Sequence, residues 1–76
     1  MLEPPTVRIM SRDNNGVVNL RVDGVSARQY VIEASDDLVS WTPIGAVAGA
    51  ESGALFTDVD APGHNRRFYR VSESSN

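Results

Sequence analysis

The chain has 76 residues, seven arginines, no lysine, no cysteine and a formal net charge of −3. Those numbers describe one small domain and exclude disulfides, thiolate zinc sites, thiol nucleophiles, Schiff-base lysines and lysine–asparagine cross-links. The negative balance weighs against a nucleic-acid backbone as partner, and no apolar run is long enough to cross a membrane as a helix.

In chain order, residues 1–5 read as a linker, because Pro4 and Pro5 hold the backbone extended. The segment MLEPPT has neither the basic nor the apolar region of a signal peptide. A period-two pattern then begins. Val7 and Ile9 alternate with Arg8, which predicts a first strand. Asp13-Asn14-Asn15-Gly16 predicts a tight turn, since Asn and Gly accept the positive φ such turns need. In the second strand, 17–22, Val18, Leu20 and Val22 share one face, with Asn19 and Arg21 on the other. In the third, 28–34, Tyr30, Ile32 and Ala34 share a face opposite Gln29, Val31 and Glu33.

The stretch Glu33-Ala34-Ser35-Asp36-Asp37-Leu38-Val39-Ser40-Trp41 places three carboxylates ahead of the only tryptophan. Short oxygen side chains at Ser35, Asp36 and Asp37 predict a turn in which they accept backbone N–H bonds two or three residues on. Leu38 and Trp41, three apart, are expected to fold back and anchor it. Calcium requires six or more oxygens, and adjacent aspartates supply too few. Residues 41–49 predict a fourth strand, with Pro43 marking an edge or a bulge. After a turn at Glu51-Ser52-Gly53, residues 54–59 predict a fifth strand, with Phe56 favoured over Leu55 as the inward residue for its size. The loop from Asp60 to Asn65 precedes a sixth strand, 66–72. The domain is expected to span 6–72, with 73–76 as a flexible tail.

Six short strands at regular spacing and no segment of helical period predict an all-β fold, a small antiparallel sandwich of six to seven strands. Its expected core is Val7, Ile9, Val18, Leu20, Val22, Tyr30, Ile32, Trp41, Ile44, Phe56, Tyr69 and Val71. In the sixth strand, inward Tyr69 and Val71 leave Arg66, Phe68 and Arg70 on the outer face. There, Glu33–Arg70 and Val31–Phe68 are the expected cross-strand pairs.

The order Tyr30-Val31-Ile32-Glu33, Ser35-Asp36-Asp37, Trp41-Thr42-Pro43-Ile44 resembles the C to C′ region of fibronectin type III-like domains, and Tyr69-Arg70-Val71 resembles their F strand. The order is also similar to small C-terminal β-sandwich modules of large secreted bacterial proteins. The resemblance covers roughly residues 7–72 and implies an immunoglobulin-like sandwich. It implies a non-catalytic accessory or spacer module, extracellular or at the cell surface, whose partners are neighbouring domains of the same chain. Two departures stand out: the tryptophan that such domains carry in strand B is absent, and little chain follows Val71 to form strand G. An unpaired F edge would then be open to pair with a second copy.

Other chemistry has few candidates. Trp41 and Phe68 with Arg66 and Arg70 could meet a polysaccharide, aromatic faces stacking on sugar rings and arginine gripping acidic groups. Asp58, Asp60 and His64 form the weak candidate set for a divalent metal. No cofactor motif is present, and the only histidine has no spacing that marks a triad.

Overall fold

In a computed structural model, the structure describes residues 5–25, 28–50, 52–64 and 66–74. Most of the expected linker, two tail residues, Glu51 and Asn65 lie outside the described residues. Six strands form: β1 (Thr6–Arg12), β2 (Val18–Asp23), β3 (Gln29–Ser35), β4 (Thr42–Ala48), β5 (Ala54–Asp58) and β6 (Phe68–Glu73), with one short 3₁₀ turn, Ala61–Gly63, before β6. They make two three-stranded antiparallel sheets, ordered β1-β2-β5 and β4-β3-β6.

The alternation that predicts the strands also fixes their faces. Val18, Leu20 and Val22 of β2 and Tyr30 and Ile32 of β3 are fully buried, one central strand from each sheet supplying the heart of the core. Val7, Ile44, Val47, Phe56, Tyr69 and Val71 close around them. Where Leu55 and Phe56 competed, Phe56 packs inward and Leu55 is 76% exposed. Phe56 fits because Gly45 lies against its ring: a Cβ built on Gly45 would sit 2.2 Å from Phe56 Cε1.

The predicted turn at 13–16 forms with Gly16 at φ +87. Asp13 Oδ1 accepts the N–H groups of Asn15 and Val17, and the Gly16 N–H donates to the Asp13 carbonyl. β4 is an edge strand, as Pro43 requires, and its register with β3 also shifts between Ile32 and Glu33. The chain stays paired beyond the expected boundary at 72, since Glu73 belongs to β6 and the Ser74 N–H donates to the Gln29 carbonyl.

Three expectations about packing fail. Ile9 is 55% exposed and outside the core, next to an irregularity in the β1–β2 register between Ile9 and Ser11. Trp41 is half-buried and also outside the core. It lies just before β4, where strand alternation no longer dictates its direction. Val31 does not meet Phe68: antiparallel pairing reverses one strand, so Glu33 faces Arg70 while Val31 faces Ser72 and Phe68 faces Ser35.

A Gly45→Ala substitution is expected to cost about 1–3 kcal/mol, the usual penalty for overpacking. Urea denaturation checks this, and a loss smaller than a few tenths would mean Phe56 is free to move aside.

Candidate functional site

The end of the molecule where β3 and β5 leave their sheets gathers most of the chain's polar chemistry. The turn after β3 is capped by Ser35 and Asp37 as the sequence predicts, whereas Asp36, expected to cap with them, contacts His64 instead. Ser35 Oγ accepts the N–H groups of Asp37 and Leu38, and Asp37 Oδ1 accepts those of Val39 and Ser40 as well as the Ser35 hydroxyl. The bonds from Ser40 and Val39 hold the Asp37 carboxyl below its ordinary range. The expected anchor is absent, however. Leu38 is 58% exposed with φ +66, because side-chain capping rather than apolar packing sets this turn.

Asp58 is the centre of the site. Period two carries it inward behind Ala54 and Phe56, and it ends β5 only 3% exposed. It accepts Arg67 Nε at 2.6 Å and the Tyr69 hydroxyl at 2.7 Å, and its Oδ1 takes the Asp60 N–H. Burial alone would raise its pKa, but the bonds from Arg67 and Tyr69 and the guanidinium charge outweigh this and hold it below the ordinary carboxylate range. Burial, reinforced by the Asp58 bond, pushes the Tyr69 hydroxyl up to about 12. Burial works against the Arg67 charge, but the Asp58 bond and charge prevail and its pKa is raised.

His64 extends the network. Arg67 Nη1 lies 2.8 Å from His64 Nε2, and Asp36 approaches Nδ1 at 2.9–3.1 Å. A guanidinium can only donate, so Nε2 is the acceptor and Nδ1–H donates to Asp36. The chain of contacts Asp36–His64–Arg67–Asp58–Tyr69 thus joins the turn after β3, the 61–66 loop, β5 and β6.

Of the metal candidates, Asp58 and His64 are engaged with Arg67, and Asp60 is exposed. Among the described residues no group of three or more metal-type ligands comes together. On the outer face of β3 and β6, Arg70 Nε donates to Glu33 at 2.8 Å and the guanidinium lies 4.4 Å from the Trp41 ring centre. Phe68 is displaced from that pair, half-buried beside Val7, Ile9 and Leu38 in a groove between β1 and β6. Arg66 lies elsewhere, exposed at the loop end. The four residues read as one binding surface therefore occupy three places.

Arg67 is the residue sequence reasoning missed. Its signal was present: with Tyr69 inward, Arg67 shares that parity and needs a buried partner. Comparison with protein families, with curated proteins and with solved structures finds no match to this chain.

The pKa shifts set a pH profile. Asp58 is depressed in the fold, so the stability it contributes is present above its unfolded value near pH 4 and is lost as pH falls through its lower folded value. Tyr69 is raised, so its contribution is present below about pH 10 and lost as pH rises through about 12. Urea midpoints should stay level between those limits and fall outside them. Tyr69→Phe should lower the plateau by about 1 kcal/mol and shift the alkaline limb. An alkaline limb identical in the variant would remove Tyr69 from this account.

Proposed function

We propose that the two sheets form a β-sandwich of fibronectin type III type, and that the chain serves as a non-catalytic accessory module of a larger secreted or cell-surface bacterial protein. The strand order β1-β2-β5 and β4-β3-β6 supports the fold reading, since it matches the A-B-E and C′-C-F pairing of that architecture. The secreted bacterial setting rests on the resemblance of the C to C′ and F segments alone.

The observation that carries the module reading is the edge of β6. The Ser74–Gln29 bond sets the alternation, so residues 68, 70 and 72 turn their backbone groups toward β3. Tyr69, Val71 and Glu73 turn theirs the other way, where the described residues supply no strand. The other edges are blunted in ways edge strands commonly are. β1 and β4 carry register irregularities, β4 also carries Pro43, and β5 has only five residues. β6 has no proline, glycine or bulge. A strand from a neighbouring domain fits this edge. The half-buried Trp41, with a guanidinium over its ring, is poorly placed as a sugar platform.

Affinity electrophoresis against a polysaccharide panel tests the reading, with the Trp41→Ala variant run alongside. No retardation is expected on any polymer. Retardation that disappears in a folded Trp41→Ala variant would replace the accessory module with a carbohydrate-binding one. Amide exchange completes the test. Tyr69, Val71 and Glu73 should exchange faster than Arg70 and Ser72. Protection that grows with protein concentration would identify a second copy as the partner at β6.

A further inference from the structure

Seven arginines stand in this chain. Among the described residues five of them have a carboxylate partner at 2.6–3.5 Å: Arg8 and Arg21 share Asp23, Arg28 meets Glu73, Arg67 meets Asp58 and Arg70 meets Glu33. Arg12 and Arg66 have none. Arg12 ends β1 and Arg66 lies 54 positions later, yet both line one concavity of about 300 Å³.

One wall of that concavity is the 13–16 turn and the other comprises Ala61, Pro62, His64 and Arg66, with Gly16 so close to Pro62 that a Cβ built on it would meet the ring at 3.5 Å. Asn14, Asn15, His64 and Arg67 complete its polar lining, and among the described residues no carboxylate contributes to it. The nearby Asp13 does not line the space, and its Oδ1 is engaged by the N–H groups of Asn15 and Val17. Arg67 is oriented by Asp58, and both His64 ring nitrogens are taken by Arg67 and Asp36. The free hydrogen-bonding capacity is therefore mostly that of donors, namely two guanidinium forks and two side-chain amides. In a chain of net charge −3, a concave site with uncompensated positive charge is an electrostatic exception.

We propose that this concavity is a binding site for a doubly charged tetrahedral oxyanion, a phosphate monoester group carried on a larger molecule. Two guanidinium groups balance the two negative charges. Their planar forks bond such oxygens in pairs, while Asn14 and Asn15 supply neutral donors at the rim. The volume exceeds that of a bare ion, leaving room for the atom that carries the group. The site lies apart from the β6 edge and does not depend on the accessory-module reading.

Titration of the whole chain with inorganic sulfate and inorganic phosphate at about pH 8 and low ionic strength, followed by backbone amide NMR, tests this. Saturable shifts confined to Arg12–Gly16 and the 61–66 loop are expected for both ions, with acetate and chloride much weaker. Arg12→Gln and Arg66→Gln should each weaken sulfate binding about tenfold or more, the loss expected for a charge-assisted bond. Arg8→Gln, which removes the same charge from the Asp23 pair, should leave binding within about twofold. Both site residues are exposed, so melting curves of the variants should match the parent and confirm their fold. Shifts that fail to saturate, or an equal loss in Arg8→Gln, would reduce the effect to diffuse charge and overturn the site. Acetate binding as tightly as sulfate would overturn the ligand class.

Discussion

A carboxylate buried at the end of β5 constrains this fold more than any other single group. Asp58 belongs to the sheet β1-β2-β5, whereas its partners Arg67 and Tyr69 lead into and lie on β6 of the other sheet. A buried charge without partners is strongly destabilising, so this residue constrains where β6 begins. Once Arg67 is fixed, its remaining N–H groups orient His64, and His64 in turn holds Asp36. A turn on β3 is thus tied to a strand end on the opposite sheet through three side chains.

This tie matters because the apolar core is small. Five fully buried side chains, Val18, Leu20, Val22, Tyr30 and Ile32, form its centre, and a domain of this length buries a modest share of its surface. Polar satisfaction supplements that packing. Among the described residues no buried side-chain nitrogen or oxygen lacks a partner. The same rigidity has a functional side. It fixes one wall of the arginine-lined concavity, and it sets the start of β6. Among the described residues five arginines pair with carboxylates in this way, and Arg12 and Arg66 do not.

Much of this was legible from residue order. Alternation placed Val18, Leu20, Val22, Tyr30, Ile32 and Ala34 correctly. Asp-Asn-Asn-Gly placed a turn, Pro43 placed an edge, and Ser35 with Asp37 placed a capped bend. The failures share a cause, since each lies where strand parity ends or must be combined with strand direction. Trp41 sits one residue ahead of β4, so size suggested burial while the backbone turned it toward Arg70. Val31 and Phe68 were matched without reversing the antiparallel partner, although the same reasoning succeeded for Glu33 and Arg70. Asp58 was read as a metal candidate and Arg67 was passed over, yet inward Phe56 and inward Tyr69 set their parity. Extending the two patterns by one step would have exposed a buried acid that needed a buried base.

A double-mutant cycle of Asp58→Asn and Arg67→Leu measures the central interaction most directly. Stabilities of the parent, both single variants and the double variant would come from urea denaturation near pH 7. Each single change leaves a buried polar group without its partner, so the double variant should be more stable than the summed losses predict, with a coupling of about 1.5–3 kcal/mol. A coupling below about 0.5 kcal/mol would contradict the account, because the Asp58–Arg67 pair would then contribute little to joining the two sheets.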